Sequence, residues 1–98
     1  MKSAQQVYDG LVAFMNMYTN PMSSWYAGIA ADARDRLFNG HGVDETNGLW
    51  ASDVCASSDD ARAVEEALHN LVCQGAGGGG DEATRSCYVY FVTGSTRQ

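Results

Sequence analysis

Trp25-Tyr26-Ala27-Gly28-Ile29 is the stretch of this sequence that decides its fold. Large apolar and small residues alternate along it, which is typical of a half-buried β-strand. A glycine inside a strand indicates that another part of the chain approaches closely at that point. The stretch therefore predicts a short strand with a close backbone approach at Gly28.

A capped helix is predicted directly after this strand. Asp32 and Asp35 have the spacing of an N-cap and a first-turn acid, and Gly40 follows where a left-handed C-terminal residue belongs. We expect the helix to cover residues 33–39. Arg36 flanks its apolar face, where either its stem lies over the edge of the core or its guanidinium binds a phosphate or carboxylate.

The rest of the chain supplies two more helices and two more strands. An apolar stripe at helical spacing predicts an N-terminal helix over residues 3–19, which ends before Pro21. The remaining elements are a strand within residues 49–56, a capped helix from about residue 57 to Cys73, and a strand over residues 87–92. The last strand is apolar on both faces and therefore central, and the tail from Gly94 to Gln98 is expected to be frayed.

These elements predict an α+β fold in which a short central antiparallel or mixed sheet of about three strands is flanked by three helices. With 98 residues, of which 45% are hydrophobic, a single domain over residues 1–98 is expected. No run approaches the roughly 20 apolar residues of a membrane helix, and the first residues lack the pattern of a secretory signal. We therefore expect a cytoplasmic protein with no membrane partner.

The three cysteines, Cys55, Cys73 and Cys87, lie far apart in the sequence. They lack the paired spacings of zinc sites and of disulfide frameworks. Reduced, partly buried thiols are therefore predicted.

The charge balance argues against nucleic-acid binding that is driven by electrostatics. Twelve acidic residues against six lysines and arginines give a formal net charge of −6. Such a charge repels a polyanion and removes much of the counterion release that drives non-specific binding. Arg34 and Arg36 nevertheless lie together just after the opening strand, where a planar guanidinium suits a phosphate.

One acidic residue has an unexpected place in the last predicted helix. Glu65 follows Ala61 by four residues and precedes Leu68 by three, so it lies close to the apolar face that those two residues define. Two interpretations stay open. The side chain is either a surface acid whose charge extends to water or a metal ligand that points into a cleft.

A glycine-rich segment over residues 75–80 joins this helix to the last strand. Successive free amide groups can hold an anion, but the segment lacks the Lys-Ser/Thr ending of a phosphate-binding loop. A flexible or closely packed connection is therefore the expected role.

The residues of the opening stretch and its helix resemble the second half of the GIY-YIG nuclease signature. The resemblance is carried by Tyr26-Ala27-Gly28, by Arg36 ten residues after the tyrosine and by His41 fifteen after it. In that family a Tyr-x-Gly strand leads into a helix with an essential arginine and a nearby histidine. Glu65, four residues after Ala61, is similar to the metal-binding glutamate of the family.

The first half of the signature is missing from its usual place. GIY-YIG domains open with a Gly-Ile-Tyr strand that pairs with the Tyr-x-Gly strand, whereas here a helix precedes Trp25. Residues 88–92 near the C-terminus have the character of the missing strand. We therefore interpret the chain as a circularly permuted relative with a core over residues 25–92, in which Tyr90 stands for the Gly-Ile-Tyr tyrosine.

The resemblance implies metal-dependent hydrolysis of phosphodiester bonds in nucleic acid. Glu65 would hold one Mg²⁺ or Mn²⁺ ion, and Arg36 would pair with the scissile phosphate. Tyr26 or Tyr90 would act as the general base or orient the attacking water, and His41 would assist proton transfer.

Another class of function fits the acidic surface. The chain has one lysine, Lys2, whereas nucleases of this family usually approach DNA with a lysine-rich surface or an attached DNA-binding domain. An inactive, acidic protein with a nuclease-like core would instead bind a basic protein partner, as a phage-type inhibitor of a host nuclease or defence complex does. A structural module with neither activity is the third interpretation.

Overall fold

The computed structural model describes residues 2–71, 73–75 and 81–97. Within these ranges the chain forms a mixed α+β single domain with a three-stranded antiparallel sheet, which confirms the predicted fold class. The elements are α1 (Ala4–Met15), β1 (Trp25–Ala30), α2 (Ala33–Asp35), β2 (Trp50–Val54), α3 (Ser58–Asn70) and β3 (Ser86–Phe91). A 3-10 turn (Met22–Ser24) precedes β1, and a π-helical turn (Arg36–Gly40) continues α2. The predicted role of the glycine-rich segment depends on residues 76–80, which lie outside the described residues.

The sheet has the strand order β1-β3-β2, so the last strand is central, as its apolar faces predicted. β3 pairs antiparallel with β1, and in this register Tyr90 lies opposite Tyr26 and Tyr88 lies opposite Gly28. Successive side chains of a strand point to opposite faces. These four residues therefore share one face of the sheet.

The outer edge of β1 is covered by the chain that follows α3. The amide of Ala27 donates to the carbonyl of Gln74 at 2.8 Å, and the amide of Gln74 donates to the carbonyl of Trp25 at 2.7 Å. His69 Nε2 lies 3.0 Å from the carbonyl oxygen of Ala27. All six residues of β1 are buried, whereas the alternating pattern predicted a half-buried strand, because apolar clusters cover both faces of the sheet.

Two apolar clusters lie on the two faces of the sheet. The larger one joins the inner sides of α1 and α3 to the face of the sheet that carries Trp25, Ala27 and Val89. The smaller one joins the α2 region to the opposite face, and its members are Tyr26, Ala30, Ala33, Leu37, Val43, Tyr88 and Tyr90. The smaller cluster is thus the one that contains the aromatic residues of the predicted site.

Three helix ends differ from the sequence prediction, and α3 ends at Asn70 rather than near Cys73. α1 ends at Met15 rather than near residue 19, because the amide of Met17 donates to the carbonyl of Phe14 and tightens the last turn. The left-handed residue after α2 is Gly42, with φ of 69°, rather than Gly40. The π-helical turn extends the helical region, so the chain reverses two residues later than predicted.

The end of the chain is also better fixed than predicted. The amide of Arg97 donates to the carbonyl of His41 at 2.6 Å, and the Arg97 guanidinium donates to the carbonyl of Asn39 at 3.1 Å. The segment up to Arg97 is therefore attached to the α2 region, and the expectation of a frayed tail from Gly94 was wrong for these residues.

The three cysteines are free and buried, as predicted. The sulfur atoms of Cys55 and Cys87 lie 3.7 Å apart. Among the helices of the described residues, none has both the length and the apolar character that crossing a bilayer requires.

Candidate functional site

An aromatic cluster around His41 occupies the α2 face of the sheet. The ring of His41 lies 4.7 Å from that of Tyr26, 4.9 Å from that of Tyr90 and 5.6 Å from that of Tyr88, measured between centroids. Tyr26 also stacks on Tyr90 at 5.1 Å. Strand pairing brings the tyrosines together, and the turn after α2 places the histidine against them. Three predicted site residues, Tyr26, His41 and Tyr90, therefore meet in one place.

Both ring nitrogens of His41 have hydrogen-bond partners. Nδ1 lies 2.6 Å from the main-chain carbonyl oxygen of Arg97 and 3.0 Å from the hydroxyl of Tyr90. Nε2 lies 2.8 Å from the hydroxyl of Tyr88. The Tyr90 hydroxyl donates in turn to the Arg97 carbonyl at 3.3 Å. The imidazole is thus fixed from three sides.

The cluster favours neutral side chains. Burial lowers the pKa of His41, the nearby charges of Arg36 and Arg97 lower it further, and the hydrogen bond to the Arg97 carbonyl opposes them. Burial, together with the neighbouring Tyr26, raises the pKa of Tyr88 to about 12. The pKa of Tyr90 is raised for the same reasons. At neutral pH the cluster therefore consists of an uncharged imidazole and protonated phenols.

Arg36 lies on the solvent side of this cluster. Its residue is exposed, and its stem passes over Gly40, where an added Cβ atom would lie 3.1 Å from Arg36 Cδ. Its charge reaches inward, because it lowers the pKa of both His41 and the Tyr88 hydroxyl. The Arg36 side chain also hydrogen-bonds to the Tyr88 hydroxyl, so the guanidinium links the solvent side to the cluster.

Glu65 lies on α3, at the outer edge of β1. His69, four residues later on the same side of the helix, bonds to the carbonyl of Ala27 on that edge. Glu65 is 7% exposed and therefore largely buried. Its carboxylate accepts no hydrogen bond from the described residues. Burial raises its pKa, which the charges of His69 and Arg62 partly offset.

Glu65 and the aromatic cluster lie in different places. Glu65 lies on α3 near the edge of β1, whereas the cluster lies on the α2 face of the sheet. The charge of Glu65 raises the pKa of Tyr88, which indicates that the two groups are near one another. No direct contact joins its carboxylate to Tyr26, His41 or Arg36 within the described residues. The structure therefore unites four predicted residues on one face and adds Glu65 from the neighbouring edge.

Glu65 is the residue that the resemblance assigns to a single Mg²⁺ or Mn²⁺ ion. The described part of the chain contains no group of three or more His, Cys, Asp or Glu side chains that could hold a metal. A magnesium ion, however, usually keeps several waters and binds one or two carboxylates together with substrate phosphates. Glu65 would supply one such carboxylate.

No family model, curated protein or solved structure matches this chain. The resemblance to GIY-YIG nucleases therefore stands on the residues of the chain and their arrangement.

Tyr88 is the member of the cluster that sequence reasoning missed. Its hydroxyl lies directly over Gly28, where an added Cβ atom would be 2.6 Å from the hydroxyl oxygen. The prediction of a close backbone at Gly28 was therefore wrong, because the neighbour is the side-chain ring of Tyr88. The available signal was the spacing of Tyr88 and Tyr90 by two residues, which places both side chains on the same face of a strand.

Proposed function

We propose that this protein is a GIY-YIG-like, metal-dependent enzyme that hydrolyses phosphodiester bonds in nucleic acid. The observation that supports it is the meeting of Tyr26, His41 and Tyr90, with Arg36 at their solvent side. The antiparallel pairing of β3 with β1 puts Tyr90 opposite Tyr26. This pairing is what a permuted Gly-Ile-Tyr strand requires.

Arg36 and Glu65 supply the charges in this proposal. The exposed Arg36 guanidinium would bind the scissile phosphate and stabilise the negative charge that grows on it in the transition state. Glu65 would hold the Mg²⁺ or Mn²⁺ ion. Such an ion, when bound, polarises the phosphoryl group and stabilises the leaving oxygen.

The two predicted tyrosines have different surroundings, which separates their roles. Tyr90 is fully buried, and its hydroxyl bonds to the Arg97 carbonyl and lies beside His41. Tyr26 retains 8% exposure, and its hydroxyl has no hydrogen-bond partner among the described residues. Tyr26 is therefore the residue that orients the attacking water, and Tyr90 supports His41.

The test is cleavage of single-stranded, duplex and branched nucleic acids with Mg²⁺ or Mn²⁺. We expect Glu65→Ala to lose about 100-fold or more of the wild-type rate. Glu66→Ala is the matched control, because Glu66 is the next residue of α3 and is exposed. Absence of cleavage by the wild type on all three substrates with either ion would refute the proposal, as would equal rates for the two variants.

The acidic binding protein is the second candidate, and the pairing of surface cations favours it. Lys2 Nζ lies 2.7 Å from a carboxylate oxygen of Asp53, and the guanidinium of Arg34 pairs with Glu45. These two cations are therefore neutralised locally, which leaves them less available to a polyanion. This candidate predicts no cleavage by the wild type and stoichiometric inhibition of a nuclease with a basic groove. A cleaving wild type that inhibits no such nuclease excludes it.

A further inference from the structure

For a buried, neutral His41, the hydrogen bonds identify the tautomer. A main-chain carbonyl can only accept, so the nitrogen 2.6 Å from the Arg97 carbonyl oxygen, Nδ1, must carry a proton. In a neutral imidazole the other nitrogen is then an acceptor. The Tyr88 hydroxyl, 2.8 Å from Nε2, therefore donates to it.

We propose that Tyr88 is a positioning residue of the site, which, together with the Arg97 carbonyl, holds His41 in the neutral form with the proton on Nδ1. Its part in catalysis rests on the proposed nuclease function. The orientation of His41 does not depend on that function, since the hydrogen bonds of its two ring nitrogens are present in the protein without a substrate.

The other two tyrosines are placed differently around the imidazole. The Tyr90 hydroxyl lies on the Nδ1 side, 3.0 Å from that nitrogen, and shares the Arg97 carbonyl with it. Tyr26 contacts the imidazole through its ring, at 4.7 Å between centroids. Tyr88 alone among the three tyrosines of the cluster bonds to Nε2 within the described residues. Any proton that His41 exchanges through Nε2 therefore passes by way of the Tyr88 hydroxyl.

The fold makes room for this arrangement at Gly28. Tyr88 lies opposite Gly28 in the strand pairing, and its hydroxyl passes over the glycine at a distance that no larger residue permits. The shorter side chain of a serine or threonine in place of Tyr88 would not bring its hydroxyl to His41. The hydrogen bond to Nε2 therefore requires both the glycine at residue 28 and the tyrosine at residue 88.

The test is the ¹⁵N spectrum of the imidazole in wild-type protein, Tyr88→Phe and Tyr90→Phe. Both substitutions remove one buried hydroxyl from the same strand, so they are matched. We expect the wild type to show a protonated Nδ1 and an unprotonated Nε2. Tyr88→Phe should shift the Nε2 resonance, whereas Tyr90→Phe should leave Nε2 unchanged. A proton on Nε2 in the wild type would overturn the proposal, as would an Nε2 resonance that ignores Tyr88→Phe.

The wild-type spectrum decides the protonation form even where Tyr88→Phe fails to fold. Where the wild type cleaves nucleic acid, we expect Tyr88→Phe to lower kcat about 100-fold, as misplacing a site residue by about 1 Å can, with KM nearly unchanged. An unchanged kcat overturns the catalytic part. A wild type without cleavage overturns the nuclease proposal and the catalytic role of Tyr88, while the spectrum still decides whether Tyr88 positions His41.

Discussion

Gly28→Ala is the substitution that most directly probes the packing of the site. A Cβ atom at residue 28 would lie 2.6 Å from the hydroxyl oxygen of Tyr88 and 2.7 Å from its Cζ atom. Contacts this short cannot be relieved at the end of a flexible chain, because the ring of Tyr88 is rigid and fully buried. The ring must move away from β1, and its hydrogen bond to His41 Nε2 must lengthen or break.

The size of the effect follows from three opposing contributions. Overpacking a buried contact costs about 1–3 kcal/mol, and leaving a buried hydrogen-bonding group unsatisfied costs about another 1–3 kcal/mol. Against this, replacing glycine by alanine within a strand contributes about 0.5–1 kcal/mol of stability. The losses exceed the gain, so we expect the free energy of unfolding to fall by at least about 1 kcal/mol. In a domain of this size, that lowers Tm by about 4–8 °C.

Gly10→Ala is the matched control. Gly10 lies inside α1, and a Cβ atom there would meet nothing within 4 Å. Only helix propensity then changes, and we expect the free energy of unfolding to rise by about 1 kcal/mol. Urea unfolding measures whether the free energy of unfolding falls in Gly28→Ala and rises in Gly10→Ala. A Gly28→Ala protein as stable as the wild type would refute the reasoning, and so would an unchanged ¹⁵N spectrum of His41.

Two further substitutions test Glu65 and the cap of the helix that carries it. Burial raises the pKa of Glu65 above its usual 4.5, so the folded state binds this proton more tightly than the unfolded chain, and stability falls as the pH rises above 4.5. Glu65→Gln should therefore be more stable than the wild type at pH 7, by about 0.5–2 kcal/mol, with a smaller difference at pH 4; equal unfolding curves at pH 7 would contradict this. Ser57 caps α3 by accepting from the amide of Asp60 at 3.1 Å, so Ser57→Ala should cost about 1 kcal/mol. Ser58→Ala is its control, and equal losses in the two variants would show that the cap has no special value.

The parts of the fold that follow from local pattern could be predicted. The central place of β3 came from its two apolar faces, and the place of Glu65 near the apolar face of α3 came from its spacing to Ala61 and Leu68. Both depend on the period of a strand or a helix, which the sequence contains directly.

The parts that depend on distant contacts could not be predicted. Tyr88 bonds to His41 only because β3 pairs with β1 in a register that puts it opposite Gly28. The end of the chain looks like a polar tail, yet Arg97 is fixed by main-chain bonds to His41 that no side-chain pattern announces. Two segments more than forty residues from His41 thus complete its surroundings.

The net charge of −6 does not decide between an enzyme and an acidic binding protein. The two interpretations differ in what they require of individual acidic side chains. A binding protein that uses acids to occupy a basic groove gains from exposing them, and most acids of this chain are exposed. Glu65 departs from this pattern. Its residue is largely buried, its carboxylate accepts no hydrogen bond within the described residues, and burial raises its pKa, so the charged form is disfavoured in the folded state. A bound cation would remove that penalty, whereas contact with a protein partner elsewhere on the surface would not, which is why the proposed ion is placed at Glu65.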